Sequence, residues 1–450
     1  MHTLEQLRSG QLAGCTRLDL NCGLDEFPTE IFTLADSLEV LNLSGNRLSA
    51  LPEDLPRLHK LRVLFCSENQ FQEVPEVLGQ CAQLEMLGFK ANQIRTLPAK
   101  ALPANLRWLI LTDNQLEALP PELGQCQRLQ KLMLAGNRLR ELPARLSECE
   151  NLELLRIAAN QLSELPEYLL NLPRLAWLAF AGNPFCAHAE TAVLSQQPVN
   201  HIDWQQLALG KTLGQGASGI IQHAQWQAST NSPQQVAVKL FKGAVTSDGL
   251  PQSEMAACIA AGQHANLIGL HGKLINQPDD IPGLVLELID ARFSNLAGPP
   301  SLASCTRDIY ADDCQFDINS LLAISLSMAK ACAHLHQRGV NHGDLYAHNM
   351  LHDGQDNCLL GDFGAASLYE PANLNQAEAL QRIEVRAFAC LLEELLERCR
   401  ATPSMHILMT ALWTLQADCC HANPRNRPLF TTIVTRLAAA QQQLASASHH

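Results

Sequence analysis

Residues 38–55 read LEVLNLSGNRLSALPEDL, and this arrangement of leucines around one asparagine returns throughout the first half of the chain. Matching stretches begin at residues 61, 106, 129 and 152. The asparagines follow one another at steps of 22 or 23 residues, at Asn46, Asn69, Asn92, Asn114, Asn137, Asn160 and Asn183. A repeat this regular predicts a solenoid, in which each unit buries its leucines only against its neighbours.

The pattern resembles the leucine-rich repeat family over about residues 16–186, and GNPFC at residues 182–186 resembles the atypical last repeat of such an array. The resemblance implies structural asparagines, because their amides can satisfy turn backbone groups that stacking hides from water. We therefore predict a leucine-rich repeat domain at residues 1–186, a linker at 187–203 and a second domain at 204–442.

Two columns of residues flank the repeated leucines. Because a strand alternates its faces, both columns should point to the concave side of the solenoid, where they form a largely apolar stripe. A contiguous exposed apolar surface usually marks an interaction site. We predict that the stripe binds a protein partner, or docks on the second domain of this chain, through Val63, Phe65, Trp108, Ile110, Met133 and Trp177. The alternative is that single apolar residues on a concave sheet carry no function.

The composition limits the other classes of partner. The chain holds 45 acidic and 32 basic residues, a formal net charge of −13, which favours neither nucleic acid nor an anionic membrane. The N-terminus does not read as a secretory signal, and no apolar run approaches the roughly 20 residues of a membrane span. The sixteen cysteines lack paired metal spacing and read as reduced core residues. These features predict a cytoplasmic protein without a membrane span.

The second half carries motifs of phosphate chemistry. LALGKTLGQGASGIIQHAQW at residues 207–226 holds a glycine-rich loop, which alone is also compatible with a tight hairpin. QQVAVKLFKG at 234–243 then places Lys239 in the middle of a strand-like run. NHGDLYAHNML at 341–351 and GDFG at 361–364 follow in order.

Together these motifs resemble the protein kinase family. The expected architecture is an α/β leucine-rich repeat solenoid followed by a bilobal α+β protein kinase-like domain. The resemblance implies ATP and Mg²⁺ as cofactors, with Asp344 as the catalytic carboxylate, Lys239 supported by Glu254, and metal ligands Asn349 and Asp362. The residues implied to bind ATP are Leu213, Gly214, Gly216, Gly219, Ile221, Lys239, Glu287 and Ile289.

The sequence departs from the family pattern around the activation segment. Gly343 stands where the family has an arginine that grips a phosphate on that segment, so activation by phosphorylation there is not expected. Only 21 residues separate Asp362 from Glu384, and their only hydroxyl side chains are Ser367 and Tyr369. Control is therefore expected to come from the repeats or from their partner.

Two further departures concern the acceptor. Tyr346 replaces the lysine typical of serine/threonine kinases, and His348 occupies the place of the arginine typical of tyrosine kinases. His348 either supplies positive charge near the transferred group or is a packing residue. The preferred function is an ATP-dependent, serine/threonine-directed protein kinase. The alternatives are a small-molecule phosphotransferase of the same fold, since HGD also occurs in aminoglycoside and choline kinases, and a catalytically inactive scaffold.

Overall fold

The computed structural model describes residues 2–216, 218–228, 232–242, 245–355, 357–400, 402 and 405–447. The chain divides into two compact units. The first unit comprises Met1–Leu175 and Asn183–Phe185, and the second comprises Ala176–Gly182 and Cys186–His450. The last strand of the repeat pattern therefore belongs to the second unit.

The first unit begins with helix α1 (Leu4–Arg8), whose first turn is capped by the Thr3 side chain. Short parallel strands follow in sequence order, with their central leucines in register. They are β1 (Arg17–Asp19), β2 (Val40–Asn42), β3 (Val63–Phe65), β4 (Met86–Gly88), β5 (Trp108–Ile110), β6 (Lys131–Met133) and β7 (Leu154–Arg156). Each strand connects to the next through a loop with a 3₁₀ turn: Thr29–Leu34, Leu55–Arg57, Glu76–Gln80, Ala99–Ala101, Pro121–Gln125 and Ala144–Glu148, with Glu167–Asn171 after β7.

The repeated asparagines connect consecutive repeats through their side chains. Asn137 shows the pattern: its Nδ2 donates to the carbonyl oxygens of Leu111 and Leu134 at 2.8 and 2.9 Å. Its Oδ1 accepts from the backbone N–H of Leu116 at 3.0 Å. One buried amide therefore satisfies three backbone groups in neighbouring turns, which is the structural role predicted for it.

The predicted apolar stripe is wrong in part, because Val63 and Trp177 are buried rather than exposed. Val63 lies between Val40 and Met86 in the parallel sheet. Trp177 packs within the second unit, as described below. The remaining residues of the stripe, Phe65, Trp108, Ile110 and Met133, are half-buried.

Side chains of the stripe are partly covered by one another and by the neighbouring Lys131. The Lys131 ammonium lies 4.5 Å from the ring centroid of Trp108, and the indole N–H of Trp108 donates to the Met133 sulfur at 3.4 Å. Mutual cover of this kind reduces the apolar area that a partner could meet.

The second unit opens with an antiparallel sheet that carries one parallel edge strand. The elements are β8 (Trp177–Ala179), α2 (Ala187–Gln196), β9 (His201–Asp203), β10 (Leu207–Gln215), β11 (Gly219–Trp226), β12 (Gln234–Phe241), α3 (Pro251–Ala261), β13 (Leu270–Ile275) and β14 (Gly283–Glu287). The strand order of the sheet is β10-β11-β12-β14-β13-β9, and only β9 pairs in parallel, with β13. Helix α3 packs on this sheet through Met255 and Ile259. Residues 187–203, predicted as a linker, thus contain a helix and a strand.

The following part is mainly helical. Its elements are β15 (Ser294–Asn295), α4 (Ile318–Gln337), β16 (Val340–Asn341), β17 (Met350–His352), β18 (Cys358–Leu360), β19 (Ser367–Leu368), α5 (Leu374–Glu397), α6 (His406–Cys419) and α7 (Phe430–Ala447). Two small sheets have the strand orders β15-β17-β18 and β16-β19. By length and composition, α4 alone among the described helices could cross a membrane, and 67% of its apolar window is buried inside the protein. Such burial is typical of a core helix.

Replacing a ladder asparagine should destabilise the repeats strongly. Asn137→Ala leaves two carbonyls and one N–H without their partner, and we expect a loss of about 3 kcal/mol in the free energy of unfolding. Asn171→Ala is the matched control, because Asn171 is exposed and donates only to Glu167 within its own turn. Urea unfolding followed by circular dichroism measures both variants. Equal losses for the two variants would contradict the role of the ladder.

Candidate functional site

Lys239 and Glu254 form a buried ion pair in the candidate site. Lys239 lies in the middle of β12, and Glu254 lies in the first turn of α3. Their side chains are 10% and 3% exposed, and the ammonium donates to Glu254 Oε1. Burial lowers the pKa of Lys239, but the carboxylates of Glu254 and Asp362 outweigh this and raise the pKa overall. Lys239 is therefore a fixed positive charge at neutral pH.

The glycine-rich loop joins β10 to β11, with Ala217 lying outside the described residues. A Cβ at Gly219 would stand 2.4 Å from the carbonyl oxygen of Leu240, so this glycine is required by the close approach of β12. At Gly214 and Gly216 a Cβ would meet nothing within 4 Å. These two glycines leave open space beside the loop, which suits an approaching phosphate group.

One cavity joins the loop to the ion pair. Four of the eight residues predicted to bind ATP line it, namely Gly216, Gly219, Ile221 and Lys239. Glu254 and Asp362 also line it, and its remaining wall includes the apolar Leu270, Leu284 and Leu286. A cavity with a cation at one place and aliphatic side chains at another fits a nucleotide, whose phosphates are charged and whose base is apolar on its faces.

The structure does not bring the other four residues to this wall. Leu213 is 44% exposed. Glu287 and Ile289 line a separate open groove beside Gln263 and His264. The N–H of Glu287 donates to the carbonyl of Gly269 at 2.8 Å, so it is not available to a base. Base recognition by Glu287 and Ile289 stays a prediction.

Asp344 and Asn349 meet in the loop between β16 and β17. Asn349 Nδ2 donates to Asp344 Oδ2 at 2.7 Å and to the Asp344 carbonyl at 3.0 Å. Both residues are only partly buried. This arrangement orients the Asp344 carboxylate and leaves the amide oxygen of Asn349 to face a further group.

His342 connects this loop with the next motif. Its ring is fully buried, and Nε2 lies 3.0 Å from the carbonyl oxygen of Gly361, directly before Asp362. The ring also packs against Phe363, with centroids 5.2 Å apart. His342 thus holds the loop that carries Asp344 against the segment that carries Asp362, a role that sequence reasoning did not assign.

Glu384 of α5 is buried and contacts the loop that carries Asp344. Its Oε1 accepts from the backbone N–H of Gly343 at 2.8 Å, and its Oε2 lies 2.8 Å from His336 Nε2. Burial raises the pKa of Glu384, but the interactions with His336, His342 and the Gly343 N–H outweigh this and hold the pKa below its usual range. The carboxylate is therefore ionised at neutral pH and holds the Gly343 backbone.

The donor set offered by Asp362 and Asn349 fits Mg²⁺. Asp362 is exposed and has a φ of +53°, a left-handed conformation that is unusual for aspartate and common at functional sites. Its Oδ1 accepts from the N–H of Gly364 at 3.1 Å. A carboxylate and an amide oxygen are the hard ligands that Mg²⁺ takes when it keeps several waters and phosphate oxygens.

His348 is held by a residue that sequence reasoning missed. Asp308 Oδ1 lies 2.7 Å from His348 Nδ1, and its Oδ2 accepts the His348 N–H at 3.0 Å. Burial lowers the pKa of His348, but Asp308, Asp344 and Asp362 outweigh it and raise the pKa overall. Asp308 precedes α4 in a segment without a recognisable motif, so no sequence signal pointed to it.

Tyr346 is covered by an aromatic stack. Its ring lies 4.2 Å from that of Trp177, at an interplanar angle of 6°, and both residues are buried. The indole N–H of Trp177 donates to the Leu345 carbonyl at 3.1 Å. Trp177 of β8 therefore contacts the two residues that follow Asp344, the candidate catalytic carboxylate. Sequence reasoning had placed this tryptophan on an exposed face.

Comparisons with known proteins match the two halves of the chain to two different families. Residues 207–398 match the family model described as protein tyrosine and serine/threonine kinase. Residues 36–94 and 104–162 match the leucine rich repeat model. The kinase description covers both classes of acceptor, so it does not decide between them.

Curated relatives match a limited part of the chain. An activated Cdc42 kinase-like protein of Drosophila melanogaster is 29% identical over 159 residues, which are 35% of this chain and 11% of that protein. Fibroblast growth factor receptor 1 of Xenopus laevis is 24% identical over 306 residues, 57% of this chain and 37% of the receptor. The chain thus spans between 11% and 37% of the length of these relatives. Among solved structures, a leucine-rich repeat protein of Leptospira interrogans matches with 26% identity and a TM-score of 0.35, over 41% of this chain and 53% of that one.

The backbone at Gly343 should not tolerate a side chain. Its φ is +72°, and a Cβ would stand 2.7 Å from the carbonyl oxygens of Ala365 and Leu178. We expect Gly343→Ala to cost about 3 kcal/mol of stability, as strain and overpacking combine. Gly354→Ala is the matched control: φ is +78° with nothing within 4 Å, so only the backbone strain of about 1 kcal/mol remains. Urea unfolding compares the two, and equal costs would show that residue 343 has room.

Proposed function

Since the chain combines leucine-rich repeats with a protein kinase domain, we propose that it transfers the γ-phosphoryl group of ATP to a hydroxyl of a protein substrate. The observation that carries the proposal is the shared cavity, in which the glycine-rich loop, the Lys239–Glu254 pair and Asp362 line one space. Phosphoryl transfer needs positioning and charge stabilisation rather than a covalent enzyme intermediate. These residues supply both.

The side chains of the site have distinct roles in the proposed reaction. The Lys239 ammonium, held by Glu254, stabilises the negative charge of the nucleotide phosphates. Asp344 accepts the proton of the incoming hydroxyl, and the bond from Asn349 keeps its carboxylate oriented toward that group. Asn349 and Asp362 would hold Mg²⁺, which neutralises phosphate charge when it is bound.

We propose a serine or threonine acceptor on the basis of His348. The tyrosine-kinase form of this loop places an arginine at this position. Here the histidine is fixed by two contacts to Asp308. The loop therefore lacks the arginine associated with tyrosine acceptors. Since Tyr346 also replaces the lysine typical of serine/threonine kinases, the acceptor class is a proposal that the product analysis below tests.

We also propose that the repeats bind a protein partner in the cytoplasm. Phe65, Trp108, Ile110 and Met133 form the half-buried apolar surface proposed for this contact. Ten of the sixteen cysteines are buried, which suits a reducing compartment.

Asp344→Asn should abolish transfer and preserve nucleotide binding. The amide cannot accept the proton of the acceptor, so we expect the rate to fall by at least about 100-fold. Asp312→Asn is the matched control, because Asp312 is an exposed carboxylate in the same domain. The full chain is assayed with Mg²⁺ and ATP labelled at the γ-phosphate, and ATP binding is measured by calorimetry.

Three acceptor readouts separate the alternatives. Autophosphorylation or labelling in a protein panel supports the proposal, and phosphoserine or phosphothreonine in the product supports the acceptor class. Label confined to a small-molecule panel would identify a small-molecule phosphotransferase. ATP binding without any transfer by the wild type would identify an inactive scaffold.

A further inference from the structure

Residues 176–182 and 186–199, which belong to the second unit, pack against both functional parts of the kinase domain, and we call them the bracing segment. The segment runs from β8 through α2 to the residue before Asn200. By sequence it was divided between the last repeat and a linker. Its contacts instead reach the helix that carries Glu254 and the loop that carries Asp344.

Helix α2 contacts α3 through one partly buried carboxylate, that of Glu190. Glu190 Oε1 accepts from the N–H of Gly182 at 2.8 Å, and its Oε2 accepts from the Ser253 hydroxyl at 3.0 Å. Ser253 directly precedes Glu254, the partner of Lys239. Val193, Leu194 and Val199 pack on the cluster that contains Met255 and Ile259 of α3. The bracing segment therefore holds the helix in the position that makes the ion pair.

Strand β8 fixes the catalytic loop. Trp177 stacks on Tyr346 and donates its indole N–H to the carbonyl of Leu345, the residue after Asp344. The Asn341 amide donates to the carbonyl of Leu178 at 2.9 Å. Contacts before and after Asp344 thus come from one strand, while Asp344 itself stays partly accessible.

The same segment fixes the chain that follows Asp362. The Ser367 hydroxyl oxygen accepts from the backbone N–H groups of Phe180 and Ala181, at 2.9 and 3.1 Å. Ser367 is fully buried and Tyr369 is 8% exposed, so neither hydroxyl of this stretch is open to a modifying enzyme. The Leu178 carbonyl oxygen also lies only 2.7 Å from the position that a Cβ of residue 343 would take. Gly343 therefore leaves room for the bracing segment.

We propose that the bracing segment positions the catalytic loop and α3 permanently, in place of a phosphorylated activation segment gripped by an arginine. Trp177 is the positioning residue for Asp344, and Glu190 is the positioning residue for Glu254. The proposal rests on the proposed kinase function. It assigns control of the site to the bracing segment rather than to phosphorylation of Ser367 or Tyr369.

Trp177→Ala in the full chain should lower kcat more than it changes KM for ATP. Loss of the stack and of the hydrogen bond lets the loop shift, and misplacement of a catalytic group by about 1 Å costs about 100-fold in rate. Trp177→Phe keeps an aromatic ring against Tyr346 and loses the N–H donor and part of the stacked area, so it should recover much of the rate. Trp413→Ala is the control, since Trp413 is 38% exposed on α6 and should leave kcat unchanged.

Wild-type kcat in Trp177→Ala would overturn the proposal. If that variant does not fold, Ser367→Ala decides, because it removes the hydroxyl that accepts from the N–H groups of Phe180 and Ala181, together with its longer 3.4 Å bond to the Ala365 carbonyl. Reduced kcat with unchanged ATP affinity supports positioning by the bracing segment, and unchanged kcat overturns it. Hydrogen exchange of residues 341–349 separates this proposal from the kinase function. If the wild type transfers no phosphate, faster exchange there in Trp177→Ala or Ser367→Ala still supports positioning of the loop, and unchanged exchange in the folded variant overturns it.

Discussion

The arrangement of the kinase domain depends on a point where the backbone has no room for a side chain. At residue 343 the carbonyl oxygens of Ala365 and Leu178 each lie 2.7 Å from the position that a Cβ would take, and Glu384 accepts the backbone N–H. The catalytic loop, the stretch after Asp362, β8 and α5 therefore meet around one glycine. An arginine at this position would have to displace β8, so the departure from the kinase pattern is a requirement of packing.

Charged side chains interact with one another in the candidate site. Lys239 is the buried cation, and it is influenced by both Glu254 and Asp362. Asp344 and Asp362 also act on His348, whose pKa is raised. Carboxylates that converge near an open cavity repel one another unless cations join them. A divalent cation would neutralise the acidic groups of this site, and the phosphates of ATP would pair with Lys239.

Much of this structure could be predicted from the sequence, because periodicity and motif order are local properties. The period of the asparagines predicted the solenoid, and the first unit has the parallel sheet of one. One cavity is lined by residues of separate motifs, namely Gly216, Gly219, Lys239, Glu254 and Asp362. Contacts across the fold could not be predicted. The column containing Trp177 indicates a face of a strand but not what lies opposite, and Asp308 belongs to no motif.

The helix in residues 187–196 was missed for a related reason. Its sequence, AHAETAVLSQ, has no clear amphipathic period, and its importance comes from one residue, Glu190, that contacts Gly182 and Ser253. A boundary drawn from repeats therefore fell inside a segment that the kinase domain uses.

The most direct test of the bracing segment is a double-mutant cycle on kcat with Trp177→Ala and Tyr346→Ala. If the stack is what positions the loop, each single variant already loses it, and the double variant should be little slower than the slower single variant. Losses that multiply in the double variant would show that the two residues act independently, and would contradict positioning of Asp344 through this stack.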